Sequence, residues 1–361
     1  MTVPSPLEGR RIALVLGGGG LKGFAHIGVL RALHEYGVQP AVCAGTSIGS
    51  LIAAAFVSGV RIPEMERRAL ALRRRDLFRI NHMGMLLERM HSRSIYLGDP
   101  LRELCEASAP DKRFDELPIP LLVNTVDVER GSQVIWGLPG LRDVSVLDAV
   151  YASCALPGFF PPGEVAERVC VDGGVTDNLP VAAAAHGMDA VIAVDVGTNA
   201  VVPMRLVRQQ GFAALYMRSA QLMMHALQLA PLTRYAGPPM ILVRPRVANV
   251  PWLSFAHTAN LIAEGYRAGI AALQHLTTCL AAPGGVFPRR TVHVRVDREK
   301  CIGCGLCVAL APEQMAMDEM QKAYPREELV DWSPADGDFV HHCPTQAIEA
   351  APTAPVYETA T

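Results

Sequence analysis

The sequence G-T-S-I-G at residues 45–49 constrains this chain more than any other stretch. The apolar residues before it predict a short buried strand, and the apolar run after it, as far as Val57, predicts a buried helix. A serine between two glycines at a strand-to-helix junction is typical of a nucleophile elbow, which exposes the hydroxyl at a sharp turn. Gly45 and Gly49 lack a Cβ, so the strand and the helix can lie close together. The alternative is a tight turn in which Ser47 only caps the helix.

A glycine loop follows the first predicted strand and leads into a helix. Its sequence also fits G-x-G-x-x-G, but a dinucleotide site needs an acidic residue about 20 residues further on, and the second strand ends without one. A P-loop is excluded because Lys22 is followed by glycine rather than by serine or threonine. The remaining interpretation is an oxyanion hole whose backbone N–H groups face the carbonyl that Ser47 attacks. A loop that only makes a tight turn is the alternative. The residues of this loop are Gly18, Gly19, Gly20, Lys22 and Gly23.

Asp172 stands at the end of a later predicted strand and is followed by Gly173 and Gly174. The two glycines let a substrate or a second loop approach the carboxylate, whereas an ordinary turn is the alternative for this pattern. Predicted strands alternate with predicted helices, which indicates an α/β fold with a mostly parallel sheet and helices on both faces. Ester hydrolysis needs a nucleophile, a proton acceptor and an oxyanion binder, and the three motifs supply one of each.

In this order the three motifs resemble the patatin-like phospholipase family in its bacterial form. The resemblance extends to residues 23–30 and to the loop from Pro157 to Pro162 ahead of the aspartate. It implies a three-layer α/β/α domain over residues 1–282 that hydrolyses lipid acyl esters. It also implies that Ser47 is the nucleophile, Asp172 the base and the glycine loop the oxyanion hole. Such a dyad has no imidazole, so the carboxylate takes the seryl proton itself.

Two alternative functions stay open. An α/β-hydrolase needs a histidine after the aspartate, and His186, His225 and His257 follow Asp172. Two observations oppose it, because the elbow comes after only two predicted strands and no H-G-G-G loop is present. The other alternative is a lipid-binding protein without catalysis, which is disfavoured because all the reactive residues are present.

The last part of the chain carries a separate pattern of cysteines. A C-x2-C-x2-C run is followed further on by Cys343-Pro344, and the cysteine that a two-cluster ferredoxin has before Pro312 is absent. Residues 291–361 therefore resemble a single-cluster ferredoxin with a small α+β fold, joined to the first domain by a linker over residues 283–290. Four thiolates suit one [4Fe–4S] cluster, and a zinc site is the alternative. The four cysteines are Cys301, Cys304, Cys307 and Cys343.

Composition bounds the partners and the location of the protein. A net charge of −2 gives no electrostatic reason to expect nucleic acid. No apolar run reaches about 18 residues and the N-terminus lacks the order of a signal peptide, so we expect a cytoplasmic protein. The arginine-rich stretch Arg67–Arg75 suits peripheral contact with the inner face of a membrane, although a solvated helix face is the commoner cause. Met204–Ala236 predicts a helical region that packs in the core or forms a lid. A cluster that carries electrons implies a redox protein partner.

Overall fold

The computed structural model describes residues 9–80, 94–109, 111–197, 215, 219, 223, 227, 232, 235–247, 250–251, 253–333, 336, 339–340 and 342–352. The predicted helical region Met204–Ala236 therefore lies mostly outside the described residues, and so does His225.

One large sheet organises the first part of the chain. Its strands are β1 (Ile12–Leu16), β2 (Val42–Thr46), β3 (Leu121–Asp127), β4 (Ser132–Trp136), β5 (Gly163–Val165), β6 (Arg168–Asp172), β7 (Ala190–Val194), β8 (Met240–Val243) and β9 (Val286–Phe287). They lie in the order β5-β6-β3-β2-β1-β7-β8-β9, with β4 also paired to β3. The neighbours from β3 through to β9 are parallel, whereas β4, β5 and β6 add antiparallel pairs. The predicted α/β fold with a mostly parallel sheet is confirmed.

Both faces of this sheet are buried, which explains why its central strands are almost continuously apolar. In β1, Leu14 packs into one buried cluster, while its neighbours Ala13 and Val15 pack into another. This alternation follows from the period of two along a strand. Helices supply the apolar side chains that complete both clusters, so the domain has three layers.

The helices of the described residues vary widely in length. They are α1 (Ala25–Glu35), α2 (Ile48–Val57), α3 (Ile62–Ala71), α4 (Arg74–Leu77), α5 (Asp99–Glu106), α6 (Val146–Cys154), α7 (Val181–Ala184), α8 (Thr258–Leu273), α9 (Leu276–Ala281) and α10 (Leu306–Leu310), with 3-10 turns at Gly20–Phe24, Phe114–Glu116 and Gly173–Val175. None of these described helices has both the length and the apolar composition needed to cross a bilayer.

Helices α1 and α8 cross with their backbones in direct contact. A Cβ on Gly28 would overlap the carbonyl oxygen of Ile262, and a Cβ on Gly265 would overlap that of Ala25. Only glycine allows an approach this close. The crossing fixes the beginning of α1, which directly follows the glycine loop.

The second part of the chain is small and rich in strands. Its strands are β10 (Arg290–Val296), β11 (Met315–Met317), β12 (Ala323–Pro325), β13 (Leu329–Trp332) and β14 (Ile348–Pro352). Strand β10 pairs antiparallel with both β13 and β14, and β11 with β12 forms a hairpin. Val292, Trp332 and Phe339 are buried in a core separate from those of the large sheet. The prediction of a small α+β domain is confirmed.

Residues 283–290, which connect the two parts of the chain, also contribute a strand to the large sheet. Val286 and Phe287 form β9 and pair with Met240 and Ile241, so the large sheet extends one strand beyond β8 into this segment. A two-residue strand is too short to give a periodic sequence signal. The Ser333 hydroxyl donates to the Val286 carbonyl at 2.7 Å, which joins the two parts. The boundaries at residues 282 and 291 stay predictions.

Candidate functional site

Ser47 lies at the turn between β2 and α2, with φ of 55° and ψ of −129°. A left-handed φ is uncommon for a residue with a Cβ, and such strain concentrates at functional sites. The flanking glycines permit the turn, because a Cβ on Gly49 would overlap the Leu16 carbonyl oxygen and one on Gly45 would lie 2.5 Å from the nitrogen of Ser50. The half-buried serine therefore stands at the carboxyl end of a central strand and at the beginning of a helix.

Asp172 ends β6 and is only 3% exposed. Its carboxylate accepts hydrogen bonds from the Gly174 N–H group at 2.8 Å and from the Ser47 hydroxyl. Burial raises the pKa of Asp172 to about 6, and the two hydrogen bonds lower that pKa in part because they favour the ionised form. The carboxylate is thus ionised at neutral pH, yet it is a stronger base than an ordinary aspartate.

Strand β3 lies between the strands that carry these two residues. Thr46 pairs with Asn124, and Thr125 pairs with Asp172. Beyond Asp172, a Cβ on Gly173 would lie 2.5 Å from the Asn124 side chain. The order of the sheet, rather than proximity in sequence, therefore brings the serine and the aspartate together.

The glycine loop reaches the serine through Gly18. The Asn178 amide group donates to the Gly18 carbonyl at 2.8 Å, and the Gly18 N–H group donates to the Asn178 carbonyl at 3.3 Å. A Cβ on Gly18 would overlap the Asn178 side chain and lie 3.2 Å from the Cβ of Ser47. Because its N–H group is engaged, Gly18 is a poorer oxyanion donor than its neighbours.

Gly19 and Gly20 offer N–H groups that meet no acceptor within the described part of the chain. Gly20 has a φ of 58°, and Gly23 packs against Ile48, the residue that follows the serine. Lys22 is buried, at 4% exposure. Two backbone donors of the loop that reaches Ser47 through Gly18 are thus candidates to bind an anionic oxygen.

His26 supports the glycine loop from the first turn of α1. It is fully buried, and its Nε2–H group donates to the Gly17 carbonyl at 2.7 Å. Burial lowers the pKa of His26 to about 4, so the ring is neutral and holds its proton on Nε2. Among the described residues its Nδ1 atom has no hydrogen-bond partner. His26 lies within residues 23–30 of the family resemblance, and its position three residues after Gly23 is the sequence signal for its contact with the loop.

Of the three histidines considered for a triad, two lie in the described residues and both are exposed. His186 precedes β7, near Asp189, whose N–H group donates to the Arg11 carbonyl at the amino end of β1. Ser47 follows the carboxyl end of β2, which runs parallel to β1. His186 therefore lies at the amino ends of these parallel strands, whereas Ser47 lies at their carboxyl ends. His257 lies directly before α8.

The four cysteines line one cavity in the second domain: Cys301, Cys304, Cys307 and Cys343. Backbone N–H groups point at two of the sulfur atoms, with Ala323 donating to Cys301 at 3.5 Å and Ala347 donating to Cys343 at 3.3 Å. Hydrogen bonds of this kind are a feature of cluster-bound thiolates. Within the described residues no three His, Cys, Asp or Glu side chains are arranged to hold a metal ion.

The arginine-rich stretch is partly neutralised by its own helix. Arg67 and Arg68 both pair with Glu64 at 2.6 Å. The guanidinium of Arg74 lies over the ring of Phe78, at 5.5 Å from its centre. Exposed pairs of this kind suit a solvated helix face, and they reduce the positive charge that a membrane would meet.

The model of the patatin-like phospholipase family matches residues 14–185. This chain carries a patatin-like phospholipase domain. Ser47, Asp172 and the glycine loop all lie within the matched range. A second model, of a 4Fe-4S single cluster domain, matches residues 294–350 and includes all four patterned cysteines.

The patatin-like domain is similar to curated proteins of very different length. An uncharacterised NTE family protein of Mycobacterium bovis is 34% identical over 209 residues, which is 55% of this chain and 53% of the relative. Patatin-like phospholipase domain-containing protein 6 of Homo sapiens is 34% identical over 201 residues, which is 54% of this chain and 14% of the relative. The chain thus spans about half the length of the first relative and a small part of the second.

Among solved structures, VipD from Legionella pneumophila covers 75% of this chain and 67% of its own, at 15% identity and a TM-score of 0.39.

Proposed function

We propose that the patatin-like domain is a serine hydrolase of lipid acyl esters, with Ser47 as the nucleophile and Asp172 as the general base. The observation that carries this function is a serine at a left-handed elbow whose hydroxyl hydrogen-bonds a buried carboxylate. The family match supports lipids as the substrate class. An esterase that uses a histidine is the less favoured alternative, because the described candidates His186 and His257 are exposed.

In the first half-reaction, Asp172 removes the hydroxyl proton as the Ser47 oxygen attacks the ester carbonyl. The resulting tetrahedral intermediate expels the alcohol, which takes the proton from Asp172, and the acyl group stays on Ser47. In the second half-reaction a water molecule loses a proton to Asp172 and attacks the acyl-serine. Ser47 regains its proton and the carboxylic acid leaves, so one ester and one water give one acid and one alcohol.

The glycine loop is proposed to stabilise the oxyanion of the transition state. This contribution matters because a carboxylate is a weak base for a seryl hydroxyl. The N–H groups of Gly19 and Gly20, which meet no backbone acceptor among the described residues, would donate to the oxygen that becomes negative in both intermediates. One donor of this kind contributes roughly 3 kcal/mol to transition-state stabilisation in measured enzymes. Gly18, Lys22 and Gly23 shape the loop rather than donate to the oxyanion.

Kinetics of single variants test this function. Ser47→Ala and Asp172→Asn should each abolish hydrolysis of phospholipid and short-chain esters while the protein stays folded. His186→Ala and His257→Ala are the controls and should keep wild-type kcat. Equal loss in either histidine variant would favour a triad and refute the Ser–Asp dyad.

The second domain is proposed to bind one [4Fe–4S] cluster. Its residues fit this group, because four thiols line one cavity and backbone N–H groups already point at two of the sulfurs. Cys301, Cys304, Cys307 and Cys343 would be the ligands. When bound, such a cluster supplies one-electron transfer or redox sensing. Iron and sulfide analysis of protein purified without oxygen, together with its visible absorbance, distinguishes a cluster from zinc.

The surroundings of the enzyme are part of the same proposal. We infer a cytoplasmic protein that meets its lipid substrate peripherally at the inner face of the membrane and exchanges electrons with a redox protein. Binding of the Ser47→Ala protein to anionic and neutral vesicles tests the membrane contact without substrate turnover.

A further inference from the structure

The last turn of helix α6 contacts both residues of the proposed dyad through their backbones. Ser153, which is fully buried, accepts a hydrogen bond from the Ser47 N–H group at 2.9 Å. Two residues further on, the Ala155 carbonyl accepts a hydrogen bond from the Asp172 N–H group at 3.1 Å. A single helix end therefore holds the backbone of the serine and that of the aspartate.

The Ser153 hydroxyl also has a partner for its own proton. It donates to the Asn124 carbonyl of β3 at 2.7 Å. A serine hydroxyl has one donor and can accept two bonds, and here the donor goes to the strand between Ser47 and Asp172. The side chain thus connects the elbow to the sheet as well as to the helix.

The Ser47 peptide groups need such a partner because the elbow interrupts both regular structures. The left-handed φ takes Ser47 out of the strand ladder, and the first N–H groups of a helix have no acceptor within it. On the other side, the Ser47 carbonyl accepts bonds from the N–H and hydroxyl groups of Ser50, at 2.9 and 2.6 Å. A strained conformation persists only where its surroundings over-determine it.

We propose that Ser153 is a positioning residue for ester hydrolysis, which holds the Ser47 elbow at the angle that points its hydroxyl at Asp172. This role rests on the proposed function of Ser47 as nucleophile. Removal of the hydroxyl leaves the Ser47 N–H and the Asn124 carbonyl without their partner, and the elbow relaxes. The change affects the direction of attack, so it lowers kcat and leaves KM nearly unchanged.

The same helix offers a matched control. Ser145 caps the beginning of α6 by accepting the Asp148 N–H group at 3.2 Å. Ser145→Ala and Ser153→Ala each remove one seryl hydroxyl, at opposite ends of the same helix. Both variants should have a lower melting temperature than wild type. Only the second removes a contact with Ser47.

The experiment compares the two variants in the full-length protein, with kcat and KM for a short-chain ester and the rate of fluorophosphonate labelling. Ser153→Ala should lower kcat and the labelling rate by about 10- to 100-fold, the loss typical of a small misplacement of a reacting group. KM should stay within about twofold, and Ser145→Ala should keep wild-type kcat. Ser153→Cys keeps a weak donor and acceptor, so its kcat and labelling rate should fall less than those of Ser153→Ala. It replaces Ser153→Ala in the comparison if the alanine variant does not fold.

Equal kcat in Ser153→Ala and Ser145→Ala would overturn the positioning role, because both variants would then report helix stability alone. Failure of the proposed function has a different signature. Wild-type protein would not react with the fluorophosphonate, or Ser47→Ala would keep its activity.

Discussion

Replacing Asp172 by asparagine should make the patatin-like domain more stable at neutral pH while it abolishes hydrolysis. The carboxylate is 3% exposed, and burial raises its pKa from 3.8 to about 6. A difference of about two pKa units corresponds to about 3 kcal/mol by which ionisation disfavours the folded state. Asparagine occupies the same volume, carries no charge and can still accept the Gly174 N–H group.

The pH dependence gives the sign of this effect. Because the native state binds the proton more tightly than the unfolded chain does, the unfolding free energy falls as pH rises from about 4 to about 6. Above pH 6 the cost of ionisation is fully present, and below about pH 4 it disappears. The stability difference between Asp172→Asn and wild type should therefore reach about 3 kcal/mol at pH 8 and approach zero near pH 4.

Urea denaturation of both proteins between pH 4 and pH 8, under conditions that preserve any cluster, measures this difference. Asp111→Asn is the control, because Asp111 is exposed, and it should change stability little at any pH. If Asp172→Asn were destabilising at pH 8, or if its effect did not depend on pH, the carboxylate would not be held at an energetic cost and the reasoning would fail.

Four further predictions follow from the same contacts. kcat/KM should rise with pH as Asp172 ionises, with an inflection near the pKa of about 6, and a profile that is flat from pH 5 to pH 8 speaks against a carboxylate base. His26→Gln should lower kcat far more than it raises KM, because its Nε2–H group positions the Gly17 carbonyl and hence the loop; unchanged kinetics would show that the loop holds itself. Gly49→Ala should give little folded protein, since its Cβ would overlap the Leu16 carbonyl, and a soluble, active variant would mean that the elbow adapts. Cys304→Ser should lose the cluster or reduce it to three irons, with hydrolysis unchanged; activity that follows cluster content would show regulation by the second domain.

The sequence predicted the parts of the site that depend on local backbone chemistry. G-x-S-x-G and the glycine loop each specify a turn that only glycine permits, so the positions of the elbow and of the loop could be predicted without a structure. The position of Asp172 at a strand end was readable for the same reason. Its pKa was not, because that depends on burial, which is set by the order of β2, β3 and β6.

Contacts between distant segments account for what the sequence did not show. Ser153 lies within a mostly apolar, buried helix, and nothing in its neighbours indicates that it accepts the Ser47 N–H group. Asn178 looks like part of a turn, yet it fixes Gly18. Val286 and Phe287 follow a Pro-Gly-Gly stretch that is typical of a linker, and only the register with Met240 and Ile241 shows that they complete the large sheet.

Mass spectrometry of the acylated protein tests the proposed chemistry most directly. Wild-type protein is quenched in acid during turnover of a slowly hydrolysed ester, or after reaction with a fluorophosphonate, and the modified peptide is sequenced. We expect one adduct per chain, located on Ser47. An adduct on another residue, or hydrolysis that persists in Ser47→Ala, would contradict the assignment of Ser47 as nucleophile.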